Sequence, residues 1–455
     1  MTRLLILPLL CFTLPVFAAD RAQVSVQWDW IRMPHAEANR LIHQHLKTSR
    51  DADALRDAVL ALVKQNGAAR IDLQAVSLGE GQGAKLDSVV EKSYPTEFDP
   101  GQVPQSLTVQ GPNPAVEVSP VVPSSFVLRK LGRMAEMKVG LTENGQLLDL
   151  EFRPVWAEHL GDMSYGEKTS EVKQPLFFTA QCTSDLLMTS GVWQLAGLFT
   201  PPPDVQKDVK PELAPLPGDR VMLFVRASAP GLPGTPPKLK PDDPDQVAVL
   251  AEWIELDMNT AAELLLENPD ASSATALRES VNVHLAAGRA RLVETALVAC
   301  RLGQRAKIDS IREVPYPTQF DGPQMPQTLT LIGPSPAPVP PGTYAPWIVP
   351  AANNSFTFRE TGVTMEVDCS VLEGSDRVAL TIAPELCTYL GRESSGQGPG
   401  LVTQPRFQTS KPFANVALLP GTPALISTLD APQTGDALPG AARARKVFLL
   451  VTVIH

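Results

Sequence analysis

Apolar and polar residues alternate with a period of two along much of this chain, and a period near 3.6 appears only in short stretches. Val24 and Val26 lead up to Trp30-Ile31 as an opening strand. Leu55, Ala58, Val59, Leu62 and Val63 then recur at helical spacing, and Gly67 supplies the stop. An extended stretch from Ala68 to Val76 follows, then a Gly-rich turn, then a strand through Leu86 and Val89. Met137, Val139 and Leu141 alternate with polar or small residues, Glu143-Asn144-Gly145 turns the chain, and Leu148, Leu150 and Phe152 alternate on the return. Asn-Gly is the preferred pair of a type I′ turn, so 137–152 is predicted to be a hairpin with one apolar and one wet face. Val221 to Val225 is apolar throughout and is predicted to be covered on both faces.

The same order of elements is then written again. Ala84-Lys85-Leu86-Asp87-Ser88-Val89 and Tyr94-Pro95-Thr96-Glu97-Phe98-Asp99 match Ala306-Lys307-Ile308-Asp309-Ser310-Ile311 and Tyr316-Pro317-Thr318-Gln319-Phe320-Asp321 at an offset of 222. Trp30-Ile31 matches Trp253-Ile254, and Gly111-Pro112 matches Gly333-Pro334. After a small insertion the offset is 230: Phe126, Arg129, Gly132 and Glu136 match Phe356, Arg359, Gly362 and Glu366, and Phe177 and Thr179 match Phe407 and Thr409. The second copy has its own helix (Leu277, Val281, Leu285, then Gly288), a closing strand Val447 to Ile454, and a hairpin 367–382. In that hairpin Val367, Cys369 and Val371 turn through Glu373-Gly374-Ser375-Asp376 to Val378, Leu380 and Ile382. A Pro-rich stretch with no apolar period separates the copies and reads as a stiff linker. The expected organisation is α+β and β-dominated, with copy 1 at 19–228, the linker at 229–245 and copy 2 at 246–455. Each copy is a strand–helix unit plus antiparallel hairpins.

The first eighteen residues change the expected compartment. Arg3, the apolar run Leu4 to Leu14, and Val16-Phe17-Ala18 before Ala19 have the form of a secretory signal peptide, 1–18. The protein is therefore expected to be exported, to the periplasm or outer membrane of a Gram-negative-type bacterium. A net charge of −10 argues against nucleic acid or an anionic lipid surface as partners. Four cysteines remain after cleavage: Cys182, Cys300, Cys369 and Cys387. Four in so long a chain do not make a disulfide framework. Cys369 is expected either as a small buried apolar side chain or bridged to Cys387.

This order of elements resembles the core domain of bacterial secretins, the outer-membrane ring proteins of type II and type III secretion and of type IV pili. The residues that carry the resemblance are the helix before Gly81-Gln82-Gly83-Ala84 and Gly303-Gln304-Arg305-Ala306, the hairpins ending at Pro154 and Pro384, and the stretches 175–198 and 405–429 with Gly191, Gly197-Leu198 and Gly421. The secretin segment V-P-x-L-G-x-I-P-x-L-G is absent; Phe199 to Asp219 and Asp430 to Ala442 stand in its place. The resemblance implies two tandem secretin-core-like domains and a structural component of a secretion or outer-membrane complex. It implies self-association by main-chain pairing at the hairpins 137–152 and 367–382. A soluble periplasmic adaptor that binds a protein partner without forming a pore is the alternative, favoured by the missing segment and by the short loops 161–174 and 391–404.

Candidate chemistry is sparse. Gly79-Glu80-Gly81-Gln82-Gly83 precedes a strand, not the helix N-terminus a phosphate cradle requires, and reads as a β-turn. His35, His43 and His45 have no matching histidines in the second copy and read as a solvated surface. Trp30 and Trp253 read as core anchors, and Tyr94-Pro95-Thr96 as a proline-fixed turn with a packed tyrosine. No H-E-x-x-H, G-x-S-x-G or C-x-x-C is present. The chain is expected not to be an enzyme, with no catalytic, cofactor-binding or metal-binding residues, no cofactor and no small-molecule substrate. Its partners are expected to be proteins or its own copies.

Overall fold

In the computed structural model, residues 23–110, 118–143, 145–203, 218–235, 245–270, 273–332, 347–431 and 445–455 are described. The signal peptide 1–18, Asn144 and linker residues 236–244 lie outside them. Antiparallel strands dominate, and four α-helices accompany them among the described residues.

The first half runs β1 (Gln23–Pro34), α1 (His35–His45), α2 (Asp53–Lys64), β2 (Ala69–Gly79), β3 (Gly83–Asp99), β4 (Ser106–Gln110), β5 (Val122–Leu141), β6 (Leu148–Tyr165), β7 (Val172–Met188), β8 (Gln194–Phe199) and β9 (Asp219–Ser228). The second runs β10 (Gln246–Asp257), α3 (Met258–Glu267), α4 (Thr275–Ala286), β11 (Ala290–Arg301), β12 (Arg305–Asp321), β13 (Thr328–Ile332), β14 (Ala352–Val371), β15 (Val378–Ser395), β16 (Val402–Ser410), β17 (Ala414–Leu418), β18 (Ala424–Asp430) and β19 (Arg445–Ile454). The predicted strands, the α2 and α4 helices and both hairpins are present. α1 and α3 were not predicted. Their short apolar faces, Ala38, Leu41 and Ile42 in α1 and Ala261 and Leu264 in α3, follow directly on a strand and merge with its pattern.

The strands form two main sheets, and each contains strands of both halves. One has eight strands in the order β18-β19-β10-β11-β8-β9-β1-β2. The other runs β3-β5-β6-β7 from the first half and continues through β12 into β14, β15, β16 and β17 of the second. β14 curls back to touch β3 at a single pairing, Ser355 with Glu97. The helices cover the outer face of the eight-stranded sheet, and the second sheet packs on its inner face, giving three layers.

β1 shows how the sequence builds this arrangement. Trp28 and Trp30 point into the inter-sheet core, where they meet Phe152 at 5.7 Å and Trp156 at 5.9 Å. Ile31 and Met33 lie on the opposite face by the alternation of the strand and point to the helix side, while the extra residue Ile71 in β2 shifts the pairing beyond Trp30. Trp30 and Trp253 are thus core residues, each at most 1% exposed. The β10–β11 pairing shifts at the matching place, between Trp253 and Ile254, with Val293 of β11 as the extra residue. Other irregularities also recur at matching positions: after Pro95 and Pro317, at Gly161 and Gly391, and before Gly197 and Ser427.

Gly132 and Gly362 are the most demanding of these positions. Their φ angles are +132° and +115°, and a Cβ on either would lie 2.2 Å from a carbonyl oxygen, that of Ser88 or Ser310. The obstacle is backbone in the paired strand and cannot swing aside. Gly132→Ala is therefore expected to destabilise the protein by about 1–3 kcal/mol, read as a lowered midpoint in urea unfolding. An unchanged midpoint would show that the strand crossing relaxes freely.

Several local expectations need correction. Tyr94-Pro95-Thr96 is not a turn; it lies within β3 at a bulge, with Tyr94 packed on Phe177 and Phe358. Val371 is 63% exposed and leaves the inner face that Cys369 occupies. Cys369 pairs opposite Leu380 while Cys387 pairs opposite Gly362, so the Cys369–Cys387 bridge is not formed. All four cysteines are buried free thiols, and burial pushes the Cys182 thiol up to about 12. The Gly79–Gly83 segment is the expected β-turn between β2 and β3, with Gln82 donating from its backbone N–H to the Gly79 carbonyl. At the hairpin turns, Gly145 and Gly374 adopt φ of +66° and +71°, the left-handed region open to glycine.

Candidate assembly surface

The two halves meet along a line of strand pairs and buried polar groups. β7 pairs with β12 from Phe177↔Glu313 to Thr183↔Lys307, and β8 pairs with β11 at Gly197↔Val298 and Leu198↔Leu297. β4 and β13 pair in parallel, Ser106 with Thr328 through to Gln110 with Ile332. Residues at the same position of each half lie side by side there, as two units related by translation require. A two-fold axis would set such strands antiparallel. The junction is therefore head-to-tail: the β7/β8 side of the first half meets the β11/β12 side of the second.

Two buried clusters fix this junction. Glu252 on β10 accepts from Arg278 of α4 at 2.6 and 3.1 Å and from Asn39 of α1 at 2.9 Å, with His43 at 3.4 Å. Burial opposes the Glu252 charge, yet the His43 hydrogen bond and the Arg278 guanidinium together hold its carboxyl well below the ordinary carboxylate range. Beside it, Glu294 of β11 binds Arg220 of β9 at 2.7 Å and Thr200 at 2.7 Å, all of them buried. His35 of α1 meets the Thr295 hydroxyl at 2.8 Å. Burial first, and the nearby Arg220 second, push the His35 pKa down to about 2.

His35 was expected on a solvated surface and is instead 8% exposed, because α1 lies against the second half. His43 shares that environment only at its Nε2 edge. Among the described residues, no group of three or more His, Cys, Asp or Glu side chains is placed to hold a metal ion, and no helix is long and apolar enough to cross a membrane.

The hairpins named for self-association are not free to pair. In 137–152, β5 lies between β3 and β6, and β6 lies between β5 and β7. In 367–382, β14 lies between β12 and β15, and β15 is covered by β17. Their apolar faces are consumed in the core: Val139, Leu150, Phe152, Val367, Leu380 and Ile382 are each at most 1% exposed.

The open edges lie elsewhere, at the two ends of the chain's sheets. Among the described residues, β2 pairs only with β1, and β18 only with β19; β16 pairs only with β15, and β3 has beyond β5 only the single Glu97 pairing. The matching strands in the other half, β11, β8, β7 and β12, are covered. The contrast in burial is direct. β8 is buried at every position, whereas β18 is buried only at Ala424. Residues 306 and 308–311 of β12 are buried, whereas none of 84–89 in β3 is. Apolar side chains crowd the first open end: Leu73 (54%), Val90 (72%), Phe126 (58%) and Leu128 (69%) are exposed, and Phe413 (67%) lies at the other end. Phe126 matches Phe356 in the sequence, yet Phe356 is only 7% exposed.

No protein-family model matches the sequence, and no curated protein matches it. Among solved structures, a chain of the ETEC pilotin–secretin complex AspS–GspD, determined by cryo-electron microscopy, is similar over 46% of this chain at 9% identity and a TM-score of 0.23. This chain spans 50% of that neighbour's length. A likeness at that score carries no functional weight.

Proposed function

We propose that this chain is an exported cell-envelope protein, one domain written twice, that serves as a structural or assembly component of a secretion or outer-membrane complex. It acts by pairing strand edges with protein partners or further copies, not by catalysis. The observation that carries this reading is the pair of open sheet ends, β2/β3 and β16/β18, whose matching strands are covered within the same molecule. An unpaired row of backbone donors and acceptors is a template for another strand. Exposed apolar side chains beside it, Leu73, Val90, Phe126 and Leu128, mark an interaction surface. The motif resemblance to secretin cores, and the signal-peptide form of 1–18, support placing this role in the envelope.

One observation favours the second reading, a soluble periplasmic adaptor. The two copies already satisfy each other across shared sheets, as an internal pseudo-dimer would. Light scattering on the purified full chain separates the two. Particles of many chains are expected for the assembly component, and a particle of one chain at every concentration would favour the adaptor.

A further inference from the structure

We infer that the junction between the two halves is also the template for a junction between chains, with β3, β4 and β5 of one chain docking on β16, β13 and β12 of a second copy. This rests on the assembly reading above and names its partner and register. A head-to-tail contact leaves one used and one unused surface on each unit, so repetition adds chain after chain until it closes or extends as a fibre. The unused surfaces here are those whose counterparts form the internal junction.

The residues on the two open ends complement each other in the internal register. Within the chain, Glu313 of β12 receives hydrogen bonds from Arg129 and from the Thr179 hydroxyl, and Arg129 also reaches Thr179 at 3.0 Å. Arg359 and Thr409 hold the same places in the second half and make the same contact, 3.1 Å apart. Glu91, exposed on β3, stands where Glu313 stands on β12. Repeating the junction brings Glu91 of one chain to Arg359 and Thr409 of the next. In the same register Asp87 faces Lys411, as Asp309 faces Gln181 at 2.8 Å internally. Glu385, which occupies the place of Val155, pairs with both Arg359 and Lys411 at 3.0 Å, so the two cations together face Glu385 and the incoming Glu91 and Asp87.

The apolar partners agree. Phe98 of β3 meets Phe356 of β14 at 5.7 Å across the internal junction. Their counterparts are Phe320 on β12 and the exposed Phe126 on β5, so the aromatic pair re-forms between chains. Leu128 takes the place of Phe358, which packs at 6.0 Å on Phe177, and so faces Phe407. The in-register parallel pairing of β4 with β13 continues in the same direction, β13 of one chain beside β4 of the next.

Cysteine cross-linking reads the register. Ile311 pairs with Thr179 and Ser310 with Ala180 internally, so the interchain pairs are Val89 with Thr409 and Ser88 with Ser410. The full chain carrying Val89→Cys and Thr409→Cys, or Ser88→Cys and Ser410→Cys, is oxidised mildly and run without reductant. A ladder of covalent multimers is expected from at least one pair. Val89→Cys with Lys411→Cys, displaced by about 6.6 Å along the strand, is expected to give roughly tenfold less. Equal ladders from matched and shifted pairs would overturn the register. No ladder from either matched pair, while light scattering still finds particles of many chains, would overturn this junction and leave the assembly reading standing. Single chains throughout would overturn both.

Discussion

Arg278→Met will destabilise the protein by about 3–5 kcal/mol, the largest effect expected of any single substitution here. Arg278 meets both oxygens of Glu252, and the two side chains are only 9% and 1% exposed. Without the guanidinium, a carboxylate sits in the core against only Asn39 and the edge of His43. The companion change separates lost attraction from stranded charge. Glu252→Gln with Arg278→Met removes both charges and is expected to be less destabilised than Arg278→Met alone, in urea unfolding at neutral pH. If the double variant loses as much as the single, the pair is not held as described. The sign with pH follows from the depressed Glu252 carboxyl: its contribution is present above its ordinary pKa of 4.5 and is lost as pH falls below that value.

The second large effect belongs to His35. Its pKa in the folded protein lies near 2 against an ordinary 6.5, so between those values the unfolded chain binds a proton that the folded chain refuses. Stability from this group is full above pH 6.5 and falls as pH drops, by about 1.4 kcal/mol per pH unit below the midpoint. His35→Gln retains a side chain able to meet Thr295 and removes the proton site. The stability difference between wild type and His35→Gln is expected to shift steadily in favour of the variant from pH 6.5 to pH 4. A difference independent of pH over that range would mean that His35 is solvated and protonates freely. Because His35 sits on α1 against β11, acid is expected to loosen the contact between the halves before either half unfolds. Trp193, beside α2, is one of six tryptophans, so a variant that keeps Trp193 alone gives the local fluorescence reading of that region.

Much of the fold was legible because β structure writes its period directly. The alternation at Met137, Val139, Leu148, Leu150 and Phe152 fixed both the hairpin and its buried face, and the apolar run Val221 to Val225 gave a strand covered on both sides. Glycines at turns and crossings, such as Gly145 and Gly362, were readable because positive φ favours glycine over other residues. The assembly surface was less legible for a physical reason. A strand's own sequence states which face is apolar, but the presence of a neighbour at its edge depends on the rest of the sheet. Hairpins 137–152 and 367–382 have the strongest pattern, yet that pattern arises from burial in the core and not from an open edge. The open edges carry weaker patterns, with Val90 exposed on β3 where Arg312 stands on β12. His35 was missed for the same reason. Its surroundings, Thr295 and Arg220, come from distant parts of the chain.

Two ion pairs stand at matching positions of the two halves with their charges reversed. Arg32 on β1 pairs with Asp219 on β9 at 2.7 Å, and in the second half Glu255 on β10 pairs with Arg445 on β19 at 2.6 Å. The charges are exchanged between matching positions, so the cross-strand attraction survives although neither residue type does.

Cryo-electron microscopy of the purified full chain bears most directly on the central idea, that each molecule ends in two unlike, mutually complementary sheet edges. Ring-shaped or filamentous particles are expected, built from identically oriented chains, with strand density running from β3 of one molecule into β16 of its neighbour. Closed two-fold dimers that bury like edge against like edge, or lone molecules at every concentration, would contradict it.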